Sequence, residues 1–320
     1  MWGWFGDGRT LEGMDASPLL DRPGAVAGTG VDAPVPGHYG DPLGEQRLLL
    51  AAGGLVDRSH RGVVRVGGPE RLGWLHSLLT QHVSTLPPGE RREALVLSPH
   101  GHVEHHLVLV DDGEATWAHV EPGTVDALVG YLRSMVFWSK VTVDDVTSEW
   151  AVLSPVAPGG VPGAEELVAR DRLTDAVGSR PLAGHLAWEA LRVAAGRPRL
   201  GFETDHRTIP HEIGWLSTAV HLDKGCYRGQ ETVARVHNLG RPPRRLVLLH
   251  LDGTQEELPG PGSPVSVAGS DERPVGFLGT AVHHAELGPI ALAVVKRQTP
   301  DDARLVVAGM AAAIDPLVTA

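Results

Sequence analysis

The chain has 320 residues, enough for one large or two to three smaller domains, and its 42% apolar and 21% charged residues make an ordinary globular balance. Its formal net charge of −11 disfavours non-specific binding to nucleic acid or anionic membranes, while leaving room for a local basic patch. The single cysteine, Cys226, rules out a disulfide within the chain. No run approaches the ~18 apolar residues that span a bilayer. The first nine residues lack a basic stretch followed by an apolar one, so the expected location is cytoplasmic.

Residues 1–41 are rich in Gly, Pro and Asp without a clear period and read as a poorly ordered tail. Residues 63–66 read as a strand ending at Gly67-Gly68, and Pro69 suits the first turn of a helix. Leu72, Leu75, Leu78 and Leu79 follow at helical spacing. Residues 94–97 and 103–110 read as strands joined by a turn at Pro99-His100-Gly101, with a third strand over 116–120. Thr124 can cap a helix that places Val125, Leu128, Val129, Leu132, Met135 and Val136 on one side. Strand character resumes at 150–153, and 155–163 is a Pro/Gly-rich connection. Trp188, Leu191 and Val193 belong to a helix that Gly196 and Pro198 end. Beyond about residue 240, short strands over 246–251, 265–267, 275–282 and 290–295 suggest a small antiparallel barrel or sandwich. The organisation is thus a tail over 1–41, a mixed α+β body over 42–240 and an all-β module over 241–320, without an internal repeat.

Lys224-Gly225-Cys226-Tyr227-Arg228-Gly229-Gln230-Glu231 is the most unusual stretch. Two glycines bracket the cysteine, and a helix opens at Gln230 with Glu231 in its first turn, so backbone N–H groups point out of the loop. Lys224 and Arg228 stand two residues either side of Cys226, and cations and a helix terminus both favour a thiolate. An exposed Cys226 would be a nucleophile, a redox thiol or a metal ligand; a buried one would be structural, the commoner fate of a free cysteine. One thiol alone cannot hold an iron–sulfur cluster, which takes about four such ligands.

These eight residues resemble the signature of the YgfZ family of folate-binding proteins, relatives of the glycine-cleavage T-protein that assist iron–sulfur enzymes. Leu191 to Arg199 resembles the family's Arg-x-x-x-Gly-x-Pro stretch through Arg192, Gly196 and Pro198, and Glu203 and Pro210-His211-Glu212 fall where the family has Glu and Pro-x-Glu. The resemblance covers roughly residues 45–300. It implies an α+β, three-domain T-protein-like ring with a C-terminal antiparallel β-barrel, holding tetrahydrofolate in a central opening. It also implies a role in assembling or maintaining iron–sulfur clusters, including those of tRNA-modifying enzymes, with iron–sulfur enzymes or assembly proteins as partners. Carried over residue by residue, Lys224 and Cys226 are the functional candidates. Gly225, Tyr227, Gly229, Gln230 and Glu231 accompany them as the folate-binding loop, and Glu203 is an acceptor for the pterin.

The rival reading is an aminomethyltransferase. In the T-protein the catalytic Asp lies in a Gly-Gly-x-x-Asp-Asp-like stretch; the matching residues here are Gly101-His102-Val103-Glu104-His105-His106, with histidine at both aspartate positions. That departure counts against aminomethyl transfer and leaves His105 or His106 as a base for another one-carbon reaction. A scaffold that has kept the fold without folate is a third reading. On a strand, His102, Glu104 and His106 would share a face and could present metal ligands, although a polar strand face is the simpler reading and no metal site is assigned. Arg241-Pro242-Pro243-Arg244-Arg245 reads as a solvated linker, and Gly28-Thr29-Gly30 lacks the strand and helix that a phosphate loop needs.

Overall fold

Alternating burial along residues 103–111 explains the first sheet. Val103, His105, Leu107, Leu109 and Asp111 are buried, and the residues between them are half-buried, as a strand with two unequal faces requires. In the computed structural model, which describes residues 16–255, 257–269 and 273–315, five antiparallel strands stand in the order Arg91–Leu97, Val103–Asp111, Ala115–Val120, Gly62–Gly67, Thr142–Asp145. Helices Arg71–Leu78 and Val125–Ser134 cover the apolar face. Leu107, Leu109, Leu75, Leu78, Leu128 and Leu132 lie in the core this makes. The opposite face, which carries Glu104, His106 and Val108, is left for the site.

A second sheet runs Val161–Pro162, Trp150–Ala157, Gly54–Asp57, Leu182–Ala183, with Glu166–Ala169 also paired to Trp150–Ala157. Its last pair is parallel, because the chain crosses the first sheet between them. Beyond Arg244 the C-terminal strands close into a six-stranded antiparallel barrel, a barrel rather than a sandwich. Leu305–Val307 and Met310–Asp315, which the sequence pattern leaves unmarked, complete it.

Helix His185–Ala194 joins these parts. Ala187, Trp188 and Leu191 pack on Leu49, Val56 and Val156 of the second sheet's layer. Ala190 and Val193 pack on Leu248, Val282, Ile290 and Leu292 of the barrel. A helix with apolar contacts on two sides needs small residues on one of them, and the alanines supply these.

The expected tail needs correction from residue 16 onward. Ser17 caps a short turn, Pro18–Asp21, and Leu19 is fully buried against Leu55, Leu153, Leu173 and Val177. Val26–Ala27 pairs with Pro36–His38, and Val35 is fully buried. The segment shows no period because isolated anchors, rather than one regular face, dock it. Residues 1–15, with Trp2, Trp4 and Phe5, lie outside the described residues.

Candidate functional site: a charged central cavity

The first sheet, the barrel, helix His185–Ala194 and the connections beside the second sheet's strands enclose a cavity of about 680 Å³. The first sheet supplies Glu93, His106, His119 and Glu121, and the turn before Gly62 supplies Arg58 and Arg61. Helix His185–Ala194 supplies Trp188 and Arg192, and the barrel supplies Arg245 and Leu246. Residues 211–218 close one wall, where Trp215 stacks on His106 with ring centroids 4.4 Å apart and planes 1° from parallel. His106 Nε2 lies 3.1 Å from Glu93 Oε2, which also accepts a hydrogen bond from Thr218 Oγ1. Burial pushes the Glu93 carboxyl up, and the His106 imidazole outweighs it, leaving the group below its ordinary range. The volume suits a drug-sized organic molecule.

Beneath the cavity lies a buried ionic network. Arg199 donates to both oxygens of Asp32 at 2.6 and 2.9 Å, and to Glu121 at 2.7 Å. Arg61 holds the other Glu121 oxygen at 2.5 Å, while its Nε donates to His119 Nδ1 at 2.8 Å. Arg192 pairs with Glu189 at 2.7 and 3.0 Å and reaches Glu203 at 3.1 Å. His60 Nε2 is 2.9 Å from Asp32 and His185 Nε2 is 3.3 Å from it. Burial pushes Asp32 up, but His185 and Arg199 hold it far below the carboxylate range. Asp32, His60 and His185 form the one ligand-spaced group among the described residues, yet Arg199 already occupies both Asp32 oxygens. A guanidinium there disfavours a metal cation.

The sequence-predicted loop sits elsewhere. None of residues 224–231 lines the cavity. Lys224 is buried, and its ammonium donates to the carbonyls of His76 and Leu79 at the C-terminal end of helix Arg71–Leu78. There it satisfies otherwise open carbonyls and opposes the helix dipole; burial lowers its pKa to about 8. Tyr227 is buried beneath it, 5.0 Å from the ammonium. Gly229 adopts φ +83°, and a Cβ there would meet Ser98 O at 2.6 Å and Gly101 Cα at 2.9 Å. The loop is therefore seated on the turn at Ser98–Gly101. Gln230 Oε1 accepts from Tyr227 N at 3.3 Å, and Glu231 is exposed in the first turn of helix Gln230–Leu239. Arg228 turns to Glu104 at 3.0 Å. Gly225 is exposed with open space around it, and Cys226 is exposed and free.

Three expectations change with this geometry. The loop does not wall the opening, because its buried members face the end of a helix and a neighbouring turn. Glu203 is not open to a pterin: it is fully buried and accepts from Thr280 N and Arg199 N, both at 2.7 Å, besides Arg192. His102, Glu104 and His106 do not gather either, since Glu104 meets Arg228 and His106 meets Glu93. Arg244, read as linker, clamps Asp205 and Glu212 at 2.7–2.8 Å. The sequence reading missed Arg58, Glu93, His119, Glu121 and Trp188. The charged run Arg58 to Arg61 between two apolar strands is the signal that could have found part of this wall.

Residues 22–170 match the family described as the GCVT N-terminal domain. A putative chloroplastic transferase of Arabidopsis thaliana is 26% identical over 264 residues, covering 67% of this chain; the chain spans 59% of that relative's length. An aminomethyltransferase of Rubrobacter xylanophilus is 27% identical over 301 residues, covering 79% of this chain and 80% of its own. A mitochondrial iron–sulfur cluster assembly factor IBA57 homolog of Mycosarcoma maydis is 28% identical over 235 residues, covering 61% of this chain and 57% of its own. The solved structure of the glycine cleavage system aminomethyltransferase T from Bartonella henselae superposes with a TM-score of 0.79 at 18% identity, over 94% of this chain and 96% of that one. Three sheets around a charged cavity, the last a closed barrel, thus give this chain the fold of an aminomethyltransferase T protein.

Proposed function

We propose that the chain binds a reduced folate in the central cavity and uses exposed Cys226 in assembling or maintaining iron–sulfur enzymes. The cavity carries the reading: about 680 Å³, with the stacked Trp215–His106 pair on one wall and Trp188 among the other lining side chains. Flat aromatic faces suit a pterin, and Glu93 replaces Glu203 as the acceptor for its 2-amino-pyrimidinone edge. Tetrahydrofolate, when bound, supplies ring and bridge nitrogens that carry one-carbon units. The chain's residues orient it and exclude water. The likeness to the IBA57 homolog and the free thiol on a separate surface support the iron–sulfur half of the proposal.

A titration with tetrahydrofolate tests the first half. Wild type and Cys226→Ala are expected to bind alike, and Glu93→Ala about tenfold more weakly, a loss in the range of a charged hydrogen bond. In cells, Cys226→Ala is expected to lower iron–sulfur enzyme activity at unchanged protein level; full activity would remove the thiol from the mechanism.

A second reading has a specific support. His106 and Glu93 form a hydrogen-bonded acid–base pair on the cavity wall. Such a pair fits a one-carbon transferase with a base other than aspartate. Turnover of methylene- or formyl-tetrahydrofolate by the pure protein, abolished in His106→Ala, would favour it.

A further inference from the structure

Arg58 is the odd member of the buried cations. Arg61, Arg192 and Arg199 each hold a carboxylate at 2.5–3.1 Å. Arg58 is only 7% exposed, and its nearest carboxylate, Glu165, stands 4.0 Å away. Among the described residues its guanidinium makes one hydrogen bond, to Ser154 Oγ, long at 3.5 Å, and its Nε has no partner. Burial and the neighbouring Arg61 lower its pKa to about 9, so its surroundings disfavour the charge they enclose. A buried guanidinium short of an anion is costly unless something supplies one.

Its neighbours are also donors without acceptors. The guanidinium lies 4.7 Å over the Trp188 ring, whose Nε1 is buried and unpartnered among the described residues. His119 accepts at Nδ1 from Arg61, so its hydrogen sits on Nε2, which has no partner either. His119 is held neutral by burial and by Arg61 and Arg58, so it stays a fixed donor rather than a second cation. Arg58, His119 and Trp188 all line the cavity.

We infer that Arg58, with Trp188 and His119, forms a receptor for a carboxylate group at the wall of the cavity. Three donor side chains, one of them charged, suit an acceptor-only group. The inference rests on the cavity being the folate site when that carboxylate belongs to the acidic tail of a folate. A small free carboxylate such as formate or glutamate would meet the same chemistry.

The test compares tetrahydrofolate with its diamide, in which both glutamate carboxylates are amidated, on wild type, Arg58→Gln and Arg58→Lys. Melting curves first establish that each variant folds. Tetrahydrofolate is expected to bind wild type at least tenfold more tightly than the diamide, and Arg58→Gln to erase most of that difference, with Arg58→Lys between. Equal binding of the two ligands to wild type, or a difference that survives Arg58→Gln, overturns the inference and leaves the folate reading standing. If neither pterin binds, the folate reading fails, and formate and glutamate become the probes. A rise in melting temperature for wild type and not for Arg58→Gln then supports the receptor, and no rise in either overturns it.

Discussion

Burial decides the roles of individual residues more than their type does. Lys224 and Cys226 are two positions apart, yet the first is enclosed at the end of a helix and the second is exposed. Nothing in the residue types forecasts that split, because it depends on a helix more than a hundred positions earlier. Glu203 illustrates the same point: its partners, Arg192, Arg199 and Thr280, come from a helix, a loop and a barrel strand. Asp32 is the sharpest case, since it lies in a segment whose composition reads as a tail. Asp32→Ala would leave Arg199 with one fewer buried carboxylate and His60 without its partner. The expected cost is about 3–5 kcal/mol, measured by urea denaturation, because a buried ion pair loses one partner and Arg199 keeps Glu121 on only one side.

At the scale of elements, periodicity makes much of the framework legible. Four strands of the first sheet, the helix after Thr124 and the helix around Trp188 appear where apolar spacing places them, whereas the fifth strand, Thr142–Asp145, carries no such signal. Short strands with little alternation, such as Leu182–Ala183 and Glu166–Ala169, are not legible, since their pairing partners define them. The glycines of the Cys226 loop divide in a way that sequence could not show. Gly229 needs its left-handed backbone and its missing side chain, whereas Gly225 has open space around it. Gly229→Ala is therefore expected to lower the melting temperature by several degrees, roughly 1–3 kcal/mol, through strain and a clash with Ser98. Gly225→Ala is expected to shift it little; equal losses from the two would refute the seating of the loop on residues 98–101.

The whole molecule is joined by charge as much as by apolar packing. Asp32 from the N-terminal segment, Glu121 from the first sheet, Arg192 from the long helix and Thr280 from the barrel belong to one connected network. Family resemblance led to the three-part architecture, but single-sequence patterning gave no sign that its centre would be ionic. Acid should expose this. Burial lowers His60 to about 3 and His105 to about 4, against an ordinary value of 6.5. Between pH 6.5 and those values the unfolded chain binds protons that the folded one does not, so stability falls as pH drops. Each fully buried histidine contributes up to about 1.4 kcal/mol per pH unit across that window. Denaturation midpoints followed from pH 7 to 4.5 should decline steeply, and His105→Leu should flatten the slope. A pH-independent midpoint would contradict the buried, neutral histidines. Among the described residues no helix is long and apolar enough to cross a membrane.

The fastening of the Cys226 loop has a kinetic consequence. Lys224 ties one end to the carbonyls of a helix, and Gly229 seats the other against a turn, while the thiol between them stays outside. A sulfur presented on a span anchored at both feet is reached without any opening of the protein. Alkylation of Cys226 should proceed at one rate through low denaturant and change only when the chain unfolds. Untying a foot by Lys224→Met would instead let the rate drift with denaturant well before the global transition.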